Sequence, residues 1–513
     1  MRRLLAAAVL VTFGMSVTAY AADPAQLFTL TELRADAHKQ ARTTVDSDGI
    51  PIARVSDQRC VDGVAGTTAF TCDGIDLLSF VPQDEFGGSD PAGVGILGGG
   101  VSDIWGWVDP EPGADGVHDE YVMLGKTNGV ALFRITNPLD PEFLGQIPNS
   151  SPAQLVWHDI KVYKDHAFIV SESVQHGMNV FDLTRLRGLE AVPAGGNRTL
   201  PADLNYPTAF AAHNIAINEE TGFAYIVGGN TGLVVPDQCL SGLHMVNIQN
   251  PKNPVFAGCH AMGEGRGTAA LGILPASPVS YIHDTQCVVY RGPDEKYQGR
   301  ELCFNSSEDH MSIVDVTNKL LPVQVAKVTY PDVAYAHQGW LTADQTHFLM
   351  GDELDEGSRG TADKTRTLVF DVSVIDKARF VGANDGETAA IDHNMYEKDG
   401  LFYQSNYTAG LRVVDSRDAA NANLPEVAFF DGYPKNDDPT FNGTWSNYPY
   451  FPSGTVAFSG IDEGLFLVRV HDSVLTEFST APVQEAPPAG GGKALGKALG
   501  KDKNQDKGKG KRP

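Results

Sequence analysis

The sequence predicts an all-β protein, a β-propeller with seven four-stranded blades. The first observation is a repeat, in which a histidine followed by an acidic or amide residue opens a short apolar run at intervals of 55, 70, 54 and 56 residues. The five pairs are His158-Asp159, His213-Asn214, His283-Asp284, His337-Gln338 and His393-Asn394. Ser102-Asp103 and Ser446-Asn447 extend the same frame to seven units.

The second observation is that each unit contains further apolar runs bounded by turn residues. Alternating apolar positions such as those at 177–182 and 410–415 are typical of strands. Because no long amphipathic helix separates these runs, a parallel sheet with helical crossovers is excluded. Closure of the units into a ring covers the apolar face of every blade. Residues 75–81 are expected to supply the outer strand of the last blade. The alternative is a six-bladed propeller, in which the Ser102 or the Ser446 unit is a flanking hairpin and not a blade.

The sequence divides into four segments. Residues 1–21 are expected to be a secretory signal peptide, since Met1-Arg2-Arg3 precedes an apolar stretch and Ala19-Tyr20-Ala21 resembles a cleavage site. Residues 22–85 form an N-terminal segment, 86–480 the propeller repeats, and 481–513 a Pro-, Gly- and Lys-rich tail expected to be disordered. We therefore expect a secreted, extracellular or periplasmic protein, with no transmembrane segment after cleavage.

The cysteine content agrees with an oxidising compartment. Six cysteines allow fifteen disulfide connectivities. We favour local pairing, of Cys60 with Cys72, Cys239 with Cys259, and Cys287 with Cys303, because the last two lie in successive predicted strands and the first two bracket a Gly-rich turn. The rival hypothesis, a thiolate metal site, has no Cys-x-x-Cys spacing to support it.

The net charge of the chain limits the kinds of molecule that it can bind. The chain carries a formal net charge of −25, so its acidic body would repel nucleic acid. From Lys493 to Pro513 the tail reverses this, with eight basic residues against two aspartates. The tail either contacts an anionic polymer or lipid headgroups, or it is a solvated extension with no specific partner.

Several runs together resemble one family. They are WHDIKVYKDHAFIVSESVQHGMNVFDL from Trp157, AHNIAIN from Ala212, AHQGW from Ala336, DELDE from Asp352, DHN from Asp392 and NYTAGLRVVD from Asn406. These runs, with the segment from Cys60 to Cys72, are similar to the choice-of-anchor B family of LVIVD-type propeller repeats, over roughly residues 55 to 470. The resemblance implies exported bacterial proteins with a variable C-terminal surface anchor and no established reaction. The C-terminus here departs from that pattern, with no LPxTG-type signal.

The repeated histidines are the candidate functional site. If each histidine begins the inner strand of its blade, all five histidines lie at the same height around the central channel. Acidic residues at the ends of the second strands are then close to them. The resulting candidate ligands for a divalent metal ion, a transition metal or calcium, are His158, His213, His283, His337, His393, Glu172, Glu308 and Glu353. The alternative is structural, with each His or Ser and its Asp or Asn tying an inner strand to its neighbour. Adjacent residues of a strand point to opposite faces, so both cannot line the channel.

Two weaker candidates accompany the histidines. The acidic run of Asp352, Glu353, Asp355 and Glu356 either binds calcium or forms a solvated loop. The tryptophans either line the channel mouth or, as we favour, pack between blades; they are Trp105, Trp107, Trp157, Trp340 and Trp445.

Two functions therefore follow from the sequence. The first is a binding or scaffolding module that holds a protein, peptide or glycan on the propeller face. The alternative is a metal-dependent, hydrolase-like enzyme that uses the histidines and carboxylates. The sequence has no Gly-x-Ser-x-Gly elbow, P-loop or zincin motif, so no catalytic residues can be assigned.

Overall fold

The computed structural model describes residues 54–86, 100–114, 116–229, 239, 242–260, 282–359 and 364–478. It confirms the all-β propeller: seven antiparallel sheets follow one another along the chain. The predicted signal peptide and the basic tail lie outside the described residues. None of the helices that the model describes is both long enough and apolar enough to cross a bilayer.

The N-terminal segment contributes five strands. They are β1 (Val55–Gln58), β2 (Cys60–Val61), β3 (Val64–Ala65), β4 (Thr71–Asp73) and β5 (Ile75–Pro82). None of them begins a blade of its own. Instead, β4 adds to the outer edge of the sixth blade and β5 to the outer edge of the seventh, so both join sheets formed mainly by the C-terminal half of the chain.

Each of the remaining strands belongs to one blade. The blades are numbered in chain order, and the strands of each blade are given from the innermost outward. Blade 1 holds β6 (Val101–Val108), β7 (Glu120–Lys126), β8 (Gly129–Arg134) and β9 (Glu142–Pro148). Blade 2 holds β10 (His158–Tyr163), β11 (His166–Ser171), β12 (Met178–Asp182) and β13 (Leu204–Tyr206). Blade 3 holds β14 (Asn214–Asn218), β15 (Phe223–Val227), β16 (Leu243–Asn247) and β17 (Val255–His260). Blade 4 holds β18 (Asp284–Val289), β19 (Glu301–Ser306), β20 (Met311–Asp315) and β21 (Val323–Val328).

The last three blades continue the series. Blade 5 holds β22 (Ala336–Leu341), β23 (His347–Asp352), β24 (Arg366–Asp371) and β25 (Arg379–Asp385). Blade 6 holds β26 (Met395–Lys398), β27 (Leu401–Ser405), β28 (Leu411–Asp415) and β29 (Glu426–Asp431). Blade 7 holds β30 (Thr444–Tyr448), β31 (Val456–Gly460) and β32 (Gly464–Val470), with β5 as its fourth strand.

The inner strands close into a ring. Each contacts the inner strand of the next blade, and β30 of blade 7 contacts β6 of blade 1. Ser102 lies on β6 and Ser446 on β30, so the two serine units occupy inner strands like the five histidine units. Because β5 pairs with β32 along its full length, the N-terminal segment locks the ring at its last blade.

The core is divided into clusters that lie between neighbouring blades, as expected when each sheet is apolar on both faces. Between blades 2 and 3, for example, Phe168 and Val180 pack with Ile215 and Ala224. Between blades 6 and 7, aromatic rings dominate: Phe458 and Phe466 stack with a centroid separation of 4.5 Å. Burial of these aromatic side chains is the main favourable contribution to the free energy of closing the propeller.

Disulfides form between Cys60 and Cys72, Cys239 and Cys259, and Cys287 and Cys303, the three predicted pairs. The third joins directly opposed residues of β18 and β19. The first ties β2 to β4, which extend blade 6. The first and third disulfides therefore link strands within one sheet, and the second joins Cys239, which precedes β16, to Cys259 of β17 in the same blade.

Helices are short and peripheral. The described residues contain α1 (Asp355–Arg359), in the connection between β23 and β24, and α2 (Asp472–Phe478), after the last strand. Short 3-10 turns lie at Gln83–Phe86, Leu183–Leu186, Pro207–Ala209, Ile375–Lys377 and Ala419–Asn421. Only α1 matters for the site, because it follows Glu353 directly.

The ring closure can be tested at Phe80 of β5. This side chain is fully buried and its ring lies 4.6 Å from that of Phe466 and 5.7 Å from that of Phe70. We expect Phe80→Ala to lower the free energy of unfolding by about 3–5 kcal/mol, because it opens a cavity where the last blade is closed. Urea unfolding followed by tryptophan fluorescence measures the change. The free energy of unfolding of Val374→Ala, at a site 44% exposed, should stay within about 0.5 kcal/mol of the wild-type value. An equal loss of stability in both variants would contradict the role of Phe80 in closing the last blade.

Candidate metal centre in the channel

The second residue of each repeated pair joins neighbouring blades. The backbone N–H of Ile160 in blade 2 donates to Asp103 Oδ2 of blade 1 at 3.2 Å, and that of Ile215 in blade 3 donates to Asp159 Oδ2 of blade 2 at 2.6 Å. Gln338 of blade 5 bonds both backbone groups of Met395 in blade 6, at 2.9 and 3.0 Å. These side chains replace the missing backbone ladder between sheets, which is the structural role that we considered for the pair.

The first residue of the pair also brings imidazole rings together. The imidazoles of blades 3 to 6 form a row of neighbouring rings, with centroid separations of 4.2 Å from His213 to His283, 4.2 Å from His283 to His337, and 4.4 Å from His337 to His393. His283, His337 and His393 are buried, while His213 is partly exposed. Four cationic rings at this spacing would repel one another, whereas neutral rings offer nitrogen lone pairs in one place.

Hydrogen bonds fix the orientation of these rings. His283 Nδ1 lies 2.8 Å from the backbone oxygen of His337, and His393 Nδ1 bonds the backbone oxygen of Trp445. Because a carbonyl only accepts, each Nδ1 carries the proton, and Nε2 of the neutral ring carries the lone pair. His213 Nδ1 bonds Glu172 Oε1 at 2.5 Å. A histidine whose Nδ1–H is held by a carboxylate or carbonyl is the usual arrangement of a metal ligand.

Glu353 lies beside the same rings. Its Oε2 is 3.7 Å from His337 Nε2 and its Oε1 is 3.9 Å from His393 Nε2. Both separations are too long for hydrogen bonds but close to the spacing of about 3.4 Å between two ligands of one tetrahedral zinc ion. The hydroxyl of Tyr407 donates to Glu353 Oε1 at 2.6 Å and holds the carboxylate in place.

The described residues contain two groups of three side chains whose ligand atoms all lie within 4.8 Å of one another. The first is His213, His283 and His337, and the second is His337, Glu353 and His393. Blades 3 to 6 thus place one His₃ set and one His₂Glu set side by side, with His337 common to both. Both ligand sets are found in catalytic zinc sites.

Six of the eight candidate ligands are brought together in this way, counting Glu172 through its bond to His213. His158 and Glu308 are not. His158 of blade 2 lies against His176, at a centroid separation of 5.6 Å. Glu308 is half-buried in a turn with φ 48°, and its backbone oxygen accepts from the N–H of Ala336 at 2.6 Å. Neither residue belongs to either group of three, so the five histidines do not form one complete ring.

His158 is buried outside the row, next to His176. Burial, together with the neighbouring His176, lowers the pKa of His158 to about 3. Its Nδ1 lies 3.2 Å from the backbone oxygen of Val156, and its buried Nε2 has no hydrogen-bond partner among the described residues. A neutral, packed imidazole of this kind is the structural form of the repeated histidine.

Further along β10, a buried lysine neutralises the acidic members of the pairs. Lys161 forms ion pairs with Asp159 and, at 3.4 Å, with Asp103, and its ammonium lies 4.4 Å above the ring of Trp105. Burial and the charge of Asp159 raise the pKa of the nearby Asp284 to about 7. The inner strands therefore carry a layer of imidazoles and, next to it, a layer of ionic ties.

The acidic run at 352–356 is not a solvated loop. Asp352, Glu353, Asp355 and Glu356 are each at most 3% exposed. Asp352 accepts from Tyr330 Oη at 2.7 Å and from the N–H groups of Ala334 and Tyr335. Asp355 is paired with Arg366. Burial and neighbouring carboxylates raise the pKa of Glu356 and of Asp392 well above their usual ranges.

Aromatic residues complete the site. Trp445 and Tyr407 each lie 4.8 Å from the ring of His393, and Tyr335 lies 5.3 Å from that of His283. Trp107, in contrast, packs between blades 1 and 2, as we favoured for the tryptophans. Sequence reasoning missed Tyr407, which lies two residues after the end of the second strand of blade 6, whereas Glu172 and Glu353 directly follow theirs.

Comparisons with known proteins assign neither a family nor a function. No family model matches the chain, and no curated protein matches it. Among solved structures, a protein from Lactobacillus plantarum is similar, with 12% identity, a TM-score of 0.39 and coverage of 70% of this chain and 88% of that one. A chain of the mitotic checkpoint complex is also similar, with 9% identity, a TM-score of 0.42 and coverage of 81% and 100%.

The buried state of His158 predicts an acid-sensitive fold. An unfolded histidine takes up a proton near pH 6.5, while the folded His158 stays neutral to about pH 3. The stability that this group contributes is therefore present above pH 6.5 and is lost as the pH falls from 6.5 towards 3, by about 1.4 kcal/mol per pH unit. His158→Gln should flatten the dependence of the unfolding free energy on pH between 6.5 and 4. His118→Gln, at an exposed histidine, should leave the slope as in wild type; equal slopes in all three proteins would refute the prediction.

Proposed function

We propose that this protein is a metal-binding propeller, with a transition metal ion held in the channel by histidines of blades 3 to 6 and by Glu353. The observation that carries the proposal is that Nδ1–H of His283 and of His393 is held by a backbone carbonyl while Nδ1 of His213 is held by Glu172. In this arrangement Nδ1 carries the proton and Nε2 is the ring atom that can ligate a metal, and the ligand atoms of each group of three lie within 4.8 Å of one another.

The ligand chemistry favours a borderline metal over calcium at this position. Three or four imidazoles and one carboxylate suit zinc, copper, iron or nickel, whereas calcium takes oxygen ligands. Burial of three of the four rings supports the same choice, because neutral nitrogen ligands avoid the cost of burying charge.

Each group of three ligands suits chemistry as well as binding. Structural zinc is usually enclosed by four protein ligands, while catalytic zinc has three and keeps one position for water. An ion with three ligands from this set would lower the pKa of its bound water and make it a nucleophile for hydrolysis. Tyr407 supports this function because its hydroxyl lies 2.6 Å from Glu353 and is placed to orient the carboxylate. The proposed activity is therefore metal-dependent hydrolysis.

The setting of this site is also part of the proposal. The three disulfides are consistent with an extracellular or periplasmic protein. Export through the predicted signal peptide and kinship with choice-of-anchor B proteins are supported by the sequence motifs. Capture of a protein, peptide or glycan on the propeller face is compatible with the metal centre and would present a substrate to the channel mouth.

Metal content tests the proposal directly. We expect the mature protein, purified without a His tag or chelator, to carry a transition metal ion in stoichiometric amount by plasma mass spectrometry. His283→Gln/His337→Gln should lose it, with an affinity for added Zn²⁺ lower by more than about 100-fold, because two ligands are gone. His118→Gln, exposed and outside the channel, should bind as wild type does. A metal-free wild type that also resists Zn²⁺, Cu²⁺ and Fe²⁺ would overturn the proposal.

Substitution of Glu172 distinguishes a role in orienting a metal ligand from a role in the stability of the fold. Glu172→Gln keeps the size of the side chain but replaces the carboxylate that holds His213 Nδ1–H. We expect the affinity for Zn²⁺ to fall by about 10–100-fold with the melting temperature of the metal-free protein unchanged. Competition with a chromophoric chelator measures the affinity. A lower melting temperature with unchanged affinity would instead assign Glu172 a structural role.

A further inference from the structure

A polar cavity of about 200 Å³ lies between blades 5 and 6. Its wall is formed by side chains of β24 and β25 on one side and of β27, β28 and β29 on the other. None of the residues that line it belongs to either group of three metal ligands. Asp385, Glu387 and Pro425 in the wall are exposed, so the cavity opens to solvent on that side. Since a water molecule occupies about 30 Å³, the cavity has room for roughly seven waters or for one compact ligand.

The contact between the blades is polar at this level, whereas other blades are apolar at the same position. Gln404 of β27 lies opposite Met395, the second residue after the repeated histidine of blade 6. At the corresponding position blades 2 and 3 have Ile169 and Ile226, both buried in the apolar clusters between blades. An amide at this position loses that packing and needs hydrogen-bond partners instead.

Two buried amide side chains in the wall have unused hydrogen-bonding capacity. Asn406 is 5% exposed, and its carboxamide forms no hydrogen bond with any of the described residues. Gln404 is 4% exposed; its Nε2 donates to Thr367 Oγ1 at 2.7 Å, while its Oε1 accepts from no residue in the described part of the chain. Buried polar groups without a partner are rare and costly, and both of these groups line the cavity.

Arg412 adds a hydrogen-bond donor to the same wall. It lies opposite Gln404 in the pairing of β27 with β28 and is 7% exposed. Its Nε donates to the backbone oxygen of Ala409 at 2.8 Å and its Nη1 to Glu426 Oε1 at 3.2 Å, and the guanidinium lies 4.4 Å from the ring of Phe429. These contacts fix the guanidinium and leave Nη2 without an acceptor among the residues that the structure describes.

The charges around the cavity favour an uncharged ligand. Glu426 neutralises Arg412, and the exposed side of the wall carries Asp385 and Glu387, of which Glu387 lies 3.8 Å from Lys364. An anionic ligand would therefore meet an excess of negative charge. An apolar ligand would leave the amides without partners.

The free groups of the wall include both acceptors and donors. Gln404 Oε1 and Asn406 Oδ1 accept, while Asn406 Nδ2 and Arg412 Nη2 donate. A hydroxyl group both donates and accepts, so a ligand with several hydroxyls on a small ring can satisfy all of these atoms at once.

We propose that the cavity between blades 5 and 6 binds a neutral, polyhydroxylated ligand of the size of one pyranose sugar unit, held by Gln404, Asn406 and Arg412. The site is separate from the channel and does not require its metal ion. It gives the capture of a glycan, one part of the proposed function, a defined place in the fold. The bound sugar supplies the hydrogen bonds that the two amides lack and joins blade 5 to blade 6.

The test is isothermal titration calorimetry of the mature full chain with glucose, galactose and mannose. Metals are removed with EDTA, so the result does not depend on the metal centre. We expect at least one of these sugars to bind at one molecule per chain, with a dissociation constant of about 1 mM or lower, as is usual for so small a ligand. Asn406→Leu and Gln404→Met should each weaken binding by about 10-fold or more, because each removes hydrogen bonds to the sugar. Gln324→Met, at an exposed position of β21, is the matched control and should bind as wild type does.

The melting temperature without sugar distinguishes binding from a structural role. Asn406→Leu removes no hydrogen bond to a described residue and buries an apolar group, so we expect an unchanged or higher melting temperature together with the loss of sugar binding. A lower melting temperature with unchanged sugar affinity would overturn the proposal. If Gln404→Met fails to fold, Asn406→Leu decides alone.

Three further outcomes would also overturn the proposal. The first is that none of the three sugars binds to the wild type. The second is that Asn406→Leu and Gln404→Met both bind sugar as the wild type does, which would place the sugar elsewhere on the propeller. The third is that acetate binds and the sugars do not, which would assign the cavity to an anion at Arg412.

Discussion

Hydrogen bonds from inner-strand side chains to the backbone of the next blade are the constraint on which the site depends. Sheets in a propeller touch face to face, so no backbone ladder sets the height of one blade relative to its neighbour. Asp103, Asp159 and Gln338 supply that missing register, each by bonding the backbone of the following inner strand. Apolar packing alone tolerates sliding, whereas a directional bond to a fixed N–H does not.

This constraint explains why the residue before each tie can change without loss of the fold. Ser102 and Ser446 replace histidine in blades 1 and 7, yet Asp103 and Asn447 keep bonding neighbouring blades. The first position also ties blades together, since Ser102 Oγ accepts from the N–H of His158, and His283 Nδ1 and His393 Nδ1 bond backbone oxygens of the next blade. In four consecutive blades it carries an imidazole, and because the ties fix the heights of those blades, the rings meet at 4.2–4.4 Å. Hydrogen bonds between blades therefore support the structural interpretation of the pair, and the row of imidazoles is the basis of the proposed metal site.

Much of the fold was predictable because the repeat and the alternation of apolar positions are local signals. The disulfides were predictable for the same reason, since Cys287 and Cys303 lie in successive strands. Ring closure was only partly predictable: residues 75–81 were expected in the last blade, but the pairing of β4 with β29 joins segments more than 350 residues apart and has no local signature. The candidate site was predicted as a ring of five, whereas His158 turns to His176 and Glu308 stays in its turn. Side-chain direction depends on packing, which a repeat alone does not specify.

Burial also changes the meaning of the acidic motif. In sequence, Asp352 to Glu356 resembles a solvated loop, because acidic residues are usually exposed. In the structure three of these buried carboxylates have compensation of three kinds: backbone N–H groups and a tyrosine for Asp352, an arginine for Asp355, and a second tyrosine and two imidazoles near Glu353. The acidic motif is therefore part of the buried structure beside the imidazoles, and each compensated carboxylate adds a directional contact at blades 5 and 6.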